Sequence, residues 1–220
     1  MSKHDAFIDA LSSDLAPTGP PRNISRVALV WLVLSAAYVM VVGYLLGPIR
    51  PDALTQFLNE PRFALESLLG ALAIAMAALC AFRAAIPGAH SKRLLVITSV
   101  LMLLWIAHYA VGIISPTLAP SMLGKREHCS WETWFYATPP AIAALILVRG
   151  LYPLQPARTA AGIGLAAGMI PALYMQFACM YEANHILEFH ILPGIVVAAL
   201  CFAVVACWTT WGSGLRPNRK

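Results

Sequence analysis

The chain is polar for its first two dozen residues, and from Val27 onward long apolar runs alternate with short polar segments. Runs of roughly 20 apolar residues match the length a helix needs to cross the hydrocarbon core of a bilayer. Six are read, at about Val27–Leu46, Phe63–Phe82, Leu94–Ile114, Trp134–Val148, Ala157–Ala178 and Leu187–Trp208. The fourth is short and contains Pro139-Pro140, so its helix is expected to start earlier, around Trp131, and to kink. The pattern predicts an all-α polytopic membrane protein. A six-transmembrane-helix bundle over 27–208 follows a cytoplasmic segment, 1–26, and precedes a basic cytoplasmic tail, 209–220. No internal repeat stands out.

The polar opening, MSKHDAFIDALSSDLAPTGPPRN, has a pattern of its own. Ser2 and Asp5 have the spacing of a capping box. Phe7, Ile8, Leu11 and Leu15 then recur at helical spacing, with Asp9, Ser12, Ser13 and Asp14 between them. Pro17, Pro20 and Pro21 end the helix and stiffen the link to the first span. A helix this short is marginal alone in water. Laying its apolar stripe into a partner's groove would stabilise it. The alternative is a helix lying on the inner leaflet, which usually carries a Lys/Arg-rich polar face, whereas this face is acidic. With Asp5, Asp9 and Asp14 in it, the segment does not read as a signal peptide.

Composition agrees with lipid as the solvent. Hydrophobic residues make up 60% of the chain, charged residues 11%, and mean hydropathy is +0.72. Soluble domains carry about 25% charged residues. The net charge of +5 does not point to nucleic acid, because the basic residues flank apolar runs instead of forming a polar stripe. Lys3, Arg22, Arg26, Arg83, Lys92, Arg93, Arg149, Arg158, Arg216, Arg219 and Lys220 fall on one side of the expected bundle. Arg50, Arg62, Lys125 and Arg126 fall on the other. This bias places both termini in the cytoplasm and turns three loops outward: about Gly47–Arg62, Ser115–Glu132 and Cys179–Ile186. Trp131, Trp134, Tyr136, Trp208 and Trp211 lie near span ends, where interfacial aromatic belts form.

Chemistry concentrates in two outward loops. Of five cysteines, Cys80, Cys201 and Cys207 fall inside spans and read as small apolar filler. Cys129 and Cys179 instead sit in outward loops beside span ends. His128 precedes the first, and Glu182, His185, Glu188 and His190 follow the second. On a helix continuing past the membrane, Cys179, Glu182 and His185 would share a face. Thiolate with imidazole suits a soft or borderline metal, although the spacing matches no standard zinc motif. Three readings fit: a structural disulfide, which a bacterial periplasm permits; a redox- or metal-responsive thiol pair, with a transient soft metal at Cys129 and Cys179 and with His128, Glu182, His185 and His190 as further ligands; and unrelated residues at a wet interface.

Few polar side chains lie inside the spans. Glu66, His108 and Gln176 are functional suspects by default, though Glu66 and His108 could simply pair with each other. No span carries a chain of carboxylates, which argues against an ion-coupled transporter. In AAGIGLAAGMIP, Gly164 and Gly168 make a GxxxG that reads as close helix packing inside the bundle, ahead of a homodimer seam.

Taken together, the segments FIDALSSDLAP, HCSW with Cys129, LYPLQPARTAAGIGLAAG and CMYEANHILEFHILPG with Cys179 resemble the NrsF-type membrane regulators. These are six-span anti-sigma factors of bacterial extracytoplasmic-function sigma factors. The resemblance runs over nearly the whole chain. It implies a multi-pass protein of the bacterial inner membrane that is no enzyme. Its cytoplasmic N-terminal segment would sequester the sigma factor. Cys129 and Cys179 would sense heavy-metal or oxidative stress from the periplasm and release it. The N-terminal segment is shorter than the cytoplasmic domain of many soluble anti-sigma factors, so sigma contact must use few residues. The rivals are a membrane thiol oxidoreductase, which usually wants the CxxC pair this sequence lacks, and a small metal transporter, which would need ligands strung through the spans.

Overall fold

The computed structural model describes residues 3–13, 23–119 and 121–214. Helices carry the fold, and no strand occurs among the described residues. A short helix, α1 (Lys3–Ser13), precedes α2 (Ile24–Leu46). A small helix, α3 (Ala53–Asn59), then leads into α4 (Pro61–Ala84), and α5 (Lys92–Ile114) follows. Next come α6 (Cys129–Val148) with a 3-10 turn at Arg149–Leu151, and α7 (Pro156–Ala178). The last span is built in three pieces: α8 (Ala183–Ile186), a π-helical turn (Leu187–Ile191) and α9 (Leu192–Gly214). Six helical stretches are long and apolar enough to cross a membrane, in agreement with the sequence pattern.

The starts of these helices lie a few residues ahead of the apolar runs, for local reasons. Asn23 caps α2 by accepting a hydrogen bond from the Arg26 amide at 3.2 Å, and Ser91 does the same for α5 through Leu94 at 3.3 Å. Pro61 and Pro156 occupy the first turns of α4 and α7, where a missing N–H costs nothing. The fourth span starts at Cys129, earlier than Trp131, and carries Pro139 and Pro140 in its interior. The Gly47–Arg62 segment between the first two spans contains α3. There Ala53 is buried and Phe57 packs on Phe177 at 5.8 Å between ring centroids.

The bundle is organised around α7, whose apolar window is 72% buried, against 22–50% for the other spans. It packs against α9, α4, α6 and α2. Small residues allow this. A Cβ on Gly168 would sit 2.5 Å from the Gly194 carbonyl oxygen, and one on Gly164 would sit 2.8 Å from Ala198 Cα. The GxxxG therefore seats α9 of the same chain. Leu29, Val33, Leu34, Leu103, Leu104, Leu200 and Val204 face outward, where acyl chains would lie. Trp131 and Trp208 are exposed near helix ends, as an aromatic belt requires. Tyr136 departs from that expectation. It is fully buried, because its ring packs edge-on against Tyr174 and its hydroxyl reaches Glu132 at 3.3 Å. The side chain of Trp211 lies outside the described residues.

Candidate functional site

With six spans, both chain ends fall at one end of the bundle, and the loops 47–60, 115–128 and 179–182 gather at the other. The site lies at that second end. Cys129 is the first residue of α6, and Cys179 follows the last residue of α7. Each was expected in a loop, yet both are buried at helix ends, 3% and 0% exposed. Although 50 residues apart in sequence, their Sγ atoms lie 3.1 Å from each other. The Cys129 thiol also reaches the Arg126 carbonyl at 3.3 Å.

The helix does not continue from Cys179 to His185. Cys179 is extended (φ −104°, ψ 174°), and a new helix begins only at Ala183. This removes the shared face of Cys179, Glu182 and His185 and substitutes another arrangement. Cys179 Sγ meets His185 Nε2 at 3.4 Å. The π-helical turn then does for His190 what an α-helix could not. Its i→i+5 hydrogen bond, from the Leu192 amide to the Leu187 carbonyl, marks a register in which residues five apart stack over one another. His185 and His190 are five apart, and their rings meet edge-on at 5.0 Å. Phe189 stacks on His185 at 4.9 Å and holds its plane.

Four side chains thus converge: Cys129, Cys179, His185 and His190 each bring one donor atom, all within 4.8 Å of one another. His190 is 0% exposed, and neither of its ring nitrogens makes a hydrogen bond of good geometry. Contact with the Cys129 thiol pulls the Cys179 thiol well below the usual thiol range, with His185 and His190 adding to the effect and burial opposing it. Two other residues named from the sequence stay outside this group. His128 is exposed before α6, and Glu182 is half-buried at the start of α8.

Two features beside the site were not foreseen. Arg50 is buried, with its amide on the Phe177 carbonyl and its guanidinium over the rings of Phe63 and Tyr181 at 5.9 and 5.8 Å. Burial lowers its pKa, opposed by the nearby Tyr181 and Cys179. Arg126 binds the Glu132 carboxylate at 2.7 Å and the carbonyls of Gly47 and Pro48 at 2.7 and 2.9 Å. It thereby ties the Cys129 loop to the end of α2. A lone Arg in a loop carries no sequence signal for either role.

Beneath the site lies a polar network. Glu66 is 1% exposed and accepts from Gln176 Nε2 (2.8 Å), the Tyr181 hydroxyl (2.8 Å) and Thr117 (3.3 Å), and it pairs with His108 Nε2 at 3.3 Å. Tyr109 donates to Gln176 Oε1 at 2.9 Å, and Gln176 also donates to Ser67 at 3.1 Å. The Glu66–His108 pairing agrees with the sequence. Gln176 and Tyr181 lie three residues before and two after Cys179, so the network touches the thiol site through the chain itself.

Ahead of the first span in the chain, α1 exposes Phe7, Ile8 and Leu11, 57–63% accessible. Leu15, the fourth member of the expected stripe, lies outside the described residues, as does Ser2 of the capping box.

A family model, NrsF, described as negative regulator of sigma F, matches residues 11–211. No curated protein and no solved structure matches.

Proposed function

The chain belongs to the NrsF family of negative regulators of sigma F, and from that premise we propose that it is a membrane-embedded anti-sigma factor of an extracytoplasmic-function sigma factor, with its sensing end in the periplasm. The cytoplasmic face carries the partner-binding element. Phe7, Ile8, Leu11 and Leu15 on α1 offer an apolar stripe to a groove on the sigma factor and hold it away from core RNA polymerase. The opposite face carries the sensor. Heavy-metal or oxidative stress changes the state of Cys129 and Cys179, which repacks the ends of α6 and α7 and releases the sigma factor.

The observation that carries the sensing half is the 3.1 Å approach of two thiols from different helices. Any event that bonds, separates or bridges them acts on two spans at once. Oxidation would remove two protons and two electrons, delivered to an oxidant of the peroxide or chromate class, and leave a disulfide joining α6 to α7. Capture of a thiophilic metal would replace the thiol protons with the ion.

The test is a sigma-dependent reporter in cells carrying Cys129→Ser, Cys179→Ser or both, challenged with cadmium or chromate. All three variants are expected to insert and to lose the induced response. A normal response in the double variant would remove the cysteines from the signal path.

A further inference from the structure

The converging donors go beyond a thiol pair. We propose that Cys129, Cys179, His185 and His190 form a closed Cys2His2 site for a divalent, borderline metal ion of the zinc class, and that this bound ion pins the resting state of the sensing end. The inference rests on the regulatory reading above for its consequence, and on geometry alone for the site.

Distances come first. In a tetrahedral zinc site, with metal–sulfur bonds of about 2.3 Å and metal–nitrogen bonds of about 2.0–2.1 Å, donors stand about 3.3–3.8 Å apart. Here the measured pairs are 3.1 Å (Cys129–Cys179) and 3.4 Å (Cys179–His185), and no donor pair exceeds 4.8 Å. Closing the set to tetrahedral spacing asks the farthest pair to approach by about 1 Å.

His190 is the second, independent observation. A fully buried imidazole with both nitrogens unpaired is costly, at about 1–3 kcal/mol for each unsatisfied group. A metal bond supplies what the protein does not. The π-helical turn that carries this histidine toward the sulfurs departs from regular α-helix, and such turns are frequent at functional sites.

Charge selects the ion. Two thiolates and two neutral imidazoles around a divalent cation sum to zero. A neutral complex suits a site whose Cys129, Cys179 and His190 are all buried, where a net charge would be expensive. Four protein donors leave no open position, which is the mark of a structural site and not a catalytic one. The mixed sulfur and nitrogen set favours zinc and also accepts cadmium, whose preference for thiolate lets it compete. The ion would tie together the start of α6, the end of α7 and the start of the last span, so its exchange or loss releases three elements.

Cobalt(II) is the probe. The full-length protein, purified in detergent under reducing conditions, is titrated with Co2+ alone. We expect one equivalent to give the visible bands of tetrahedral cobalt with a near-ultraviolet thiolate charge-transfer band, and stoichiometric Zn2+ to erase both. His190→Asn should lose the tetrahedral spectrum and weaken binding by about tenfold or more. His185→Asn, at a partly exposed position, serves as the second variant should His190→Asn misfold. A weak octahedral spectrum in the unaltered protein, or unchanged spectra in both variants, would overturn the site. Retention of the sigma factor in a pull-down from the same preparations separates the two readings. Sigma retention without cobalt uptake sinks the metal site and leaves the regulator. Cobalt uptake without sigma retention does the reverse.

Discussion

Glu66 is the residue on which the most buried polar groups depend. Gln176, Tyr181 and Thr117 donate to it and His108 pairs with it, in a bundle with little other polar material. Removing the acceptor strands its donors, each at about 1–3 kcal/mol. Glu66→Leu is therefore expected to lower the thermal midpoint in detergent clearly, and Glu66→Gln less so, since it keeps one acceptor oxygen. Equal midpoints for Glu66→Leu and the unaltered protein would show the network to be energetically idle. Legibility at this scale was uneven. Cys129, Cys179, His185 and His190 could be named from residue type and loop placement. The convergence of His190 could not, because it depends on a π-helical turn that sequence periodicity does not announce. His128 and Glu182 were included for proximity in sequence, and the break after Ala178 sends Glu182 elsewhere. Tyr109, Tyr181, Ser67 and Thr117 escaped notice because each carries a single hydroxyl whose side-chain partner comes from a distant part of the chain.

At the level of elements, two helices invite opposite treatments. In α7, Gly168 touches the Gly194 backbone, which cannot step aside. Gly168→Ala should force α7 and α9 apart and destabilise the bundle by about 1–3 kcal/mol. Gly150→Ala, where a Cβ meets nothing within 4 Å, should change the midpoint little. Similar midpoints for the two variants would mean that the α7–α9 contact is looser than this geometry requires. In α1 the exposure runs the other way: Phe7, Ile8 and Leu11 are each more than half exposed among the described residues. Leu11→Asp is expected to leave insertion intact and to abolish sigma retention in a pull-down. Undiminished retention would move the partner surface to the inner loops. The six spans were legible because the bilayer forces apolar runs of a fixed length. Their starts were not, because capping by Asn23 and Ser91 and the prolines at Pro61 and Pro156 extend helices beyond the apolar runs. α3 was hidden for a related reason: seven residues are too few to show a period.

The whole molecule poses a question of direction. The thiol cluster lies at the end of the bundle away from the start of α2 and the end of α9, so a regulator needs one end on each side of the membrane, and the bias of Lys and Arg is the reason to expect the chain termini in the cytoplasm. Lys125 and His90 are both exposed in the loops, at opposite ends. In a Cys207→Ser background, Lys125→Cys should react with a membrane-impermeant maleimide in cells whose outer membrane has been opened. His90→Cys should stay unlabelled until the inner membrane is broken. The buried cysteines contribute little background, since Cys80, Cys129, Cys179 and Cys201 are each less than a tenth exposed. The reverse pattern would put the thiol cluster in the reducing cytoplasm, where a disulfide would not persist, and would place α1 outside, beyond the reach of any sigma factor. Labelling as expected leaves a bundle whose oxidisable, metal-competent end faces the environment while its exposed helix faces the transcription machinery. Among the described residues, the packed length of the spans connects them. α7 is the strongest candidate to carry the signal, because it ends at Cys179, contributes Gln176 to the Glu66 network and is the most deeply buried of the six.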